Sequence, residues 1–116
     1  MRLVLAVAAL LATTAPALPQ ARSGPFTVQE TGRGYASLQE AVSAIGDGRG
    51  TIRIAPGRYG DCAVQEAGEV SFVSEVPGKA IFDWAICEGK ATLVLRGRGA
   101  KVDGVVFMRT LVEDGY

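Results

Sequence analysis

The clearest hydrophobic pattern in the chain predicts a short amphipathic helix that begins near Ser37. Its apolar positions have the spacing of one helical face: Leu38, Ala41, Val42 and Ile45. Ser37 stands at the N-cap with Glu40 three residues later, so the two side chains can satisfy each other's backbone amides. Gly46 tolerates the left-handed backbone that often ends a helix.

After the helix the pattern changes to the two-residue alternation of β-strands. Apolar and polar side chains alternate in residues 51–54, and Pro56-Gly57 then predicts a type II turn. Similar strand-and-turn units follow, with turns at Pro77-Gly78 and Arg98-Gly99, each 21 residues after the previous one. A fixed period of this length is typical of stacked repeat architectures, in which one unit cannot bury its apolar face alone.

Four segments carry a resemblance to a known family: SLQEAVSAI, GTIRIAPGRY, VSFVSEVPGKAIFD and ATLVLRGRGAKVDGVVF. They resemble the N-terminal cap and first coils of right-handed parallel β-helix proteins, the pectate-lyase-like fold. The resemblance implies an all-β solenoid of about three coils over residues 22–116, with the helix covering its N-terminal end. Many family members bind, cleave or modify polysaccharides, and others are adhesins. Since the family's active residues generally lie on later coils, no catalytic residue is carried over.

On this interpretation the chain stops before its last coil is capped. Residues 108–116 contain no segment that resembles a cap, and an open coil exposes apolar side chains and unpaired strand groups. We therefore expect a truncated N-terminal portion of a longer β-helix, or a partner chain that covers the open end. A small disulfide-linked β-sandwich is the competing fold, but it explains the helix and the turn spacing less well.

Residues 1–21 are predicted to be a secretory signal peptide. Arg2 precedes an apolar run of ten residues, and Ala15-Pro16-Ala17 resembles a cleavage site. Because ten residues are too few to span a bilayer, we expect no membrane insertion after cleavage and a periplasmic or secreted protein. In such an oxidising compartment, Cys62 and Cys87 are expected to form a disulfide.

Composition limits the possible partners and chemistry. Lys plus Arg and Asp plus Glu both number 12, and no basic stripe supports a nucleic-acid partner. The chain has no histidine, so the commonest general base and metal ligand is missing. We therefore expect this chain alone to be non-catalytic and to need no cofactor.

Three aspartates and several surface side chains remain as candidate site residues. Asp61, Asp83 and Asp103 recur near the repeat period, so they could stack as a ladder that binds Ca²⁺, although turn stabilisation explains Asp61 and Asp103 better. Trp84 with Tyr59 could form a platform for a sugar ring, although a lone Trp more often packs in a core. The arginines could bind an acidic polysaccharide or be ordinary solvated charges: Arg53, Arg96 and Arg98.

The predicted signal peptide indicates an exported protein, and the resemblance to the β-helix family implies that it interacts with or acts on extracellular polysaccharide. One alternative is a non-catalytic structural or adhesion-type binding module. The other is the N-terminal fragment of a polysaccharide lyase or glycoside hydrolase, whose catalytic residues would lie on later coils.

Overall fold

The computed structural model describes residues 24–109. The predicted helix is confirmed as α1 (Leu38–Ile45), and its predicted N-cap is also confirmed, because the Ser37 hydroxyl accepts a hydrogen bond from the Glu40 amide at 3.1 Å. Gly46 ends the helix at φ +60° and donates its amide to the Val42 carbonyl. Leu38, Ala41 and Val42 are buried, so the apolar stripe faces the core as the pattern predicts.

In residues 24–109, ten β-strands form three sheets. Their bounds are β1 Phe26–Val28, β2 Arg33–Tyr35, β3 Arg49–Ile54, β4 Gly57–Tyr59, β5 Ala63–Gln65, β6 Glu69–Ser74, β7 Ala80–Asp83, β8 Leu93–Leu95, β9 Gly99–Asp103 and β10 Val105–Met108. The helix packs against β1, β2, β3 and β5. A five-stranded sheet has the order β2-β1-β3-β6-β9, a three-stranded sheet β10-β7-β4, and a two-stranded sheet β5-β8. In the five-stranded sheet β1 pairs antiparallel with β2 and β3, whereas β3, β6 and β9 pair in parallel.

The core forms where the inward-facing side chains of the sheets meet. Strand alternation places Ile52, Ile54, Val70 and Phe72 inward, and each of them is at most 2% exposed. An aromatic row runs through the core, because Phe26 and Phe82 both lie against Tyr59 with ring centroids 5.0 and 5.3 Å away. Burial of such large rings adds to the hydrophobic stabilisation that the buried aliphatic side chains provide.

The predicted all-β, right-handed parallel β-helix is contradicted by this arrangement. Residues 24–109 form one helix and three small sheets of five, three and two strands, and no solenoid or closed sheet is identified in them. The largest sheet is mixed, because β1 and β2 run antiparallel to their neighbours. The structure is therefore β-rich, with small mixed and parallel sheets.

The predicted 21-residue period is also wrong, because strand pairing follows a different register. Ile52 pairs with Phe72 as expected, but Phe72 then pairs with Val102, while Leu93 pairs with Ala63. The segment between β7 and β8 is long and displaces every later strand along the sequence. The even spacing of the three turn dipeptides therefore does not mark equivalent positions.

The turn dipeptides themselves take different conformations. Pro77-Gly78 makes a tight turn in which Gly78 has φ +82° and the Lys79 amide donates to the Val76 carbonyl at 3.0 Å. Gly57 instead begins β4 and pairs with Ala80, and Gly99 begins β9. A Pro-Gly or Arg-Gly pair alone does not distinguish a turn from a strand that starts at the glycine.

The predicted disulfide between Cys62 and Cys87 is confirmed, with Cα atoms 5.5 Å apart. It joins the start of the β5 region to the long segment between β7 and β8. The predicted signal peptide, residues 1–21, lies outside the described residues. Within residues 24–109, no helix is long and apolar enough to cross a membrane.

Candidate functional site

The outer face of the three-stranded sheet carries a cluster of charged and aromatic side chains. Arg58 of β4 lies opposite Ile81 of β7, so Asp83, two residues further along β7, is its diagonal neighbour on the same face. Asp83 in turn pairs with Met108 at the end of β10. Three strand ends thus bring their outward side chains to one place.

Asp83 binds two arginines, one on β4 and one directly after β10, the two strands that flank β7. Its Oδ2 accepts a hydrogen bond from Arg58 Nη1 at 2.7 Å, and its Oδ1 accepts one from Arg109 Nε at 2.7 Å. Arg109 Nη2 also donates to Oδ2, which makes that pair bidentate. The two guanidiniums cover the carboxylate so well that its side chain is only 9% exposed, while each of them stays more than half exposed.

Trp84 stands beside this ion-pair group and faces solvent. The residue is 66% exposed, and its backbone is left-handed at φ +60°, a conformation that is costly for a bulky side chain. The Arg109 guanidinium carbon lies 5.5 Å from the indole centroid, within cation–π distance. Trp84, Asp83, Arg58 and Arg109 are referred to below as the Trp84 cluster.

Electrostatics fix the protonation of this cluster. Hydrogen bonds from Arg109 lower the pKa of the Asp83 carboxyl below its ordinary value of 3.8, and Arg58 adds to the effect. The carboxylate is therefore ionised at neutral pH, and the pKa of Arg109 is raised by the same contact. Two guanidiniums against one carboxylate leave the cluster with one net positive charge.

The cluster combines an exposed aromatic surface with hydrogen-bond donors that suit an anionic ligand. An exposed indole offers an apolar face on which a sugar ring can stack, and guanidinium N–H groups in a planar fork match a carboxylate. Asp83 is held ionised and doubly hydrogen-bonded, so it positions the arginines and is a poor proton donor at neutral pH. These properties suit recognition better than acid-base catalysis.

The predicted partner of Trp84 lies elsewhere. Tyr59 points inward and packs between Phe26 and Phe82, so it does not form a platform with the indole. Desolvation raises the pKa of the Tyr59 hydroxyl, in keeping with its half-buried position. The expectation that a lone tryptophan packs in the core is wrong for Trp84, because two thirds of the residue is exposed.

The three aspartates of the suggested calcium ladder are not brought together. Asp61 accepts a hydrogen bond from the Leu38 amide at 2.9 Å and so fixes the start of α1. Asp83 belongs to the Trp84 cluster, and Asp103 lies on β9 in register with Val73. Within residues 24–109, no group of three or more acidic or cysteine side chains has the proximity to hold a metal ion.

The three predicted arginines are also separated. Arg53 lies on the outer face of β3, with Nη1 3.4 Å from Gln29 Oε1. Arg96 is held between Glu66 and Glu88, whose carboxyl pKa values it lowers by hydrogen bonding. Arg98 reaches back to the Asp47 carbonyl at 2.9 Å. The arginines that do converge are Arg58 and Arg109, which the sequence alone did not single out.

A concave surface, separate from the Trp84 cluster, lies on the outer face of the five-stranded sheet. This groove has a volume of about 280 Å³ and is lined by the first residues of β3, β6 and β9, among them Arg49, Glu69, Ser71 and Lys101. Arg49 and Glu69 pair across it at 2.7 Å, which lowers the pKa of the Glu69 carboxyl. The groove has no aromatic side chain, so it lacks the stacking surface that distinguishes the Trp84 cluster.

Comparison with known proteins adds no family to this description. No protein-family model, curated protein or solved structure matches the chain. The functional argument therefore rests on the Trp84 cluster itself.

Proposed function

We propose that this protein is an exported, non-catalytic module that binds acidic extracellular polysaccharide through the Trp84 cluster. The exposed indole of Trp84 beside two guanidiniums carries the proposal. A hydrophobic residue exposed at a left-handed backbone position costs stability, and such local cost is commonly found at ligand-binding sites.

Each member of the cluster has one role in this function. The Trp84 indole stacks on the apolar face of a sugar ring, and its preference is for ring shape rather than charge. Arg58 and Arg109 donate to the carboxylate of a uronic acid, which adds selectivity for acidic sugars. Asp83 holds both guanidiniums in place, so the donors are preorganised before the sugar arrives.

Export is supported by two independent features. The sequence of residues 1–21 has the charge, apolar run and small residues of a signal peptide. The Cys62–Cys87 disulfide is of a kind that persists in oxidising compartments. Both features suit a protein that meets polysaccharide outside the cytoplasm.

Isothermal titration calorimetry with defined oligosaccharides tests the function. The probes are a galacturonate hexamer and, as a neutral counterpart, a glucose hexamer. We expect the native protein to bind the acidic oligomer at least tenfold more tightly, and Trp84→Ala to abolish measurable binding of both. Arg58→Gln is expected to lower the affinity for the acidic oligomer and to leave the affinity for the neutral oligomer unchanged.

Matched controls separate the site from general surface charge. Arg53→Gln removes an exposed guanidinium from another sheet, so it is expected to leave both affinities unchanged. Trp84→Phe keeps an aromatic face and is expected to retain part of the binding. Equal binding by native protein and Trp84→Ala would overturn the proposal.

A further inference from the structure

The last strand of each sheet carries apolar side chains that the described residues leave exposed. Of the six large hydrophobic residues that are exposed in residues 24–109, four lie on β8, β9 and β10: Leu95, Val102, Phe107 and Met108. Phe107 stacks on Phe82 at 6.0 Å and ends the aromatic row of the core while remaining 40% exposed. This end of the molecule, defined by β8, β9 and β10, is called the open end below.

The opposite edge of the five-stranded sheet is covered, in contrast to the open end. There the sheet finishes in β1 and β2, which are short and antiparallel, and α1 packs against β1, β2 and β3. At the open end, β9 pairs with β6 along one side, and within residues 24–109 no strand pairs with its other side. Such an edge presents backbone donors and acceptors that favour pairing with a further strand.

The charged residues of β9 indicate which strand could pair with its free edge. Register with β6 places Val102 inward beside Phe72, and Lys101 and Asp103 outward on either side of it. The motif Lys-Val-Asp is therefore complementary to itself when two copies run antiparallel. With Val102 opposite Val102 of a second copy, each Lys101 lies opposite an Asp103 on the same face of the joined sheet.

Other registers lose this complementarity. An antiparallel pair centred on Lys101 would place two lysines opposite each other, and one centred on Asp103 would oppose two aspartates. Like charges directly opposite destabilise a strand pair. The outward charges thus select one register, and that register also lets two exposed Val102 side chains cover each other.

We propose that the open end is a homodimer interface in which the β9 strands of two copies pair antiparallel about Val102. Two-fold symmetry makes the same patch complementary to itself, as in most homodimers. The pairing extends the five-stranded sheet across the two copies and brings the exposed apolar side chains of β8 and β10 to the junction. The proposed interface adjoins the sugar site, because Arg109 directly follows β10, but the pairing of β9 involves no residue of the Trp84 cluster.

Charge reversal combined with sedimentation equilibrium tests the interface. Lys101→Asp gives a β9 with two aspartates, and Asp103→Lys gives one with two lysines. Each variant alone is expected to dimerise at least tenfold more weakly than the native chain, because both cross-strand pairs become repulsive. Mixed in equal amounts, the two variants are expected to form a heterodimer, and the double variant Lys101→Asp/Asp103→Lys is expected to recover the homodimer.

Further controls keep the test specific. Arg33→Gln removes an exposed charge from β2, at the opposite edge of the same sheet, and is expected to leave the dimer unchanged. Native dimers that the charge reversals do not affect would overturn the proposal, since another surface would then hold them together. A native protein that stays monomeric at all concentrations would also overturn it, because the β9 edges of two copies would then not pair.

Discussion

Arg109 lies across the indole of Trp84, with its guanidinium carbon 5.5 Å from the ring centroid, while the same guanidinium forms a bidentate pair with Asp83. The aromatic face and the charged group are thus held as one unit. Residues 83, 84 and 109 come from two different strand ends, so the unit exists only when β7 and β10 pair.

Replacing Asp83 with Asn is expected to loosen this unit. The substitution keeps the shape of the side chain but removes the charge that holds Arg58 and Arg109. Arg109 should then move away from the indole, so the tryptophan becomes more accessible to a neutral quencher such as acrylamide. Because Trp84 is the only tryptophan, quenching of the intrinsic fluorescence measures this site alone. Unchanged quenching in Asp83→Asn, with Asp47→Asn as control, would contradict the positioning role of Asp83.

The left-handed backbone at Trp84 predicts an unusual order of stability among variants. Glycine has no Cβ and adopts φ +60° at no steric cost, whereas alanine does not. The free energy of unfolding of Trp84→Gly is therefore expected to exceed that of Trp84→Ala by about 1 kcal/mol. Chemical denaturation followed by circular dichroism measures the difference. An alanine variant as stable as the glycine variant would show that the backbone at this position is unstrained.

The acid dependence of stability follows from the lowered carboxyl pKa values. Hydrogen bonds from arginine lower the pKa of Asp83 from 3.8 and of Glu66, Glu69 and Glu88 from 4.5. A group with a lowered folded-state pKa stabilises the fold above its unfolded value, and this contribution is lost as the pH falls through the folded value.

We therefore expect the melting temperature to stay constant from about pH 7 to 5 and to decrease below about pH 4.5. The chain has no histidine that would titrate between these limits. Thermal unfolding in a pH series provides the measurement. A steep loss of stability between pH 7 and 5.5 would contradict this assignment of the charges.

The disulfide is expected to contribute substantially to a chain this small. Cys62 and Cys87 are 25 residues apart in sequence, and closing a loop of that length restricts the unfolded chain by about 2–4 kcal/mol. The double variant Cys62→Ser/Cys87→Ser should lose that much free energy of unfolding relative to the oxidised native protein. Reduction of the native protein provides the matched control and should give a similar loss. A variant as stable as the oxidised protein would show that the bridge is incidental.

Local features of this fold were predictable from sequence, whereas pairing between distant strands was not. The Ser37 cap, the apolar face of α1 and the alternation in β3 depend on a few neighbouring residues, and all were predicted correctly. Strand register depends on the lengths of the segments between strands. The sequence separation of paired residues is larger for Glu69↔Gly99 than for Arg49↔Glu69. A single repeat length therefore cannot describe both strand pairs.

The candidate site shows the same division. Trp84 could be named as a candidate because a tryptophan is conspicuous in a chain with few aromatic residues. Its partners could not, because Arg58 meets Asp83 only through the diagonal between β4 and β7, and Arg109 only after β10 has paired with β7. The aspartate ladder, which the sequence offered only as an alternative to turn stabilisation, assumed one uniform spacing, and its three aspartates lie in different surroundings.

The most direct test of the polysaccharide-binding proposal is the indole signal of Trp84 in a nuclear magnetic resonance titration. One tryptophan gives one indole N–H resonance, so any shift reports contact at the cluster itself. Addition of a galacturonate hexamer should move this resonance in a saturable way, and the glucose hexamer should move it only at much higher concentration. An indole signal that does not respond to either oligomer, while the protein remains folded, would contradict the proposed function.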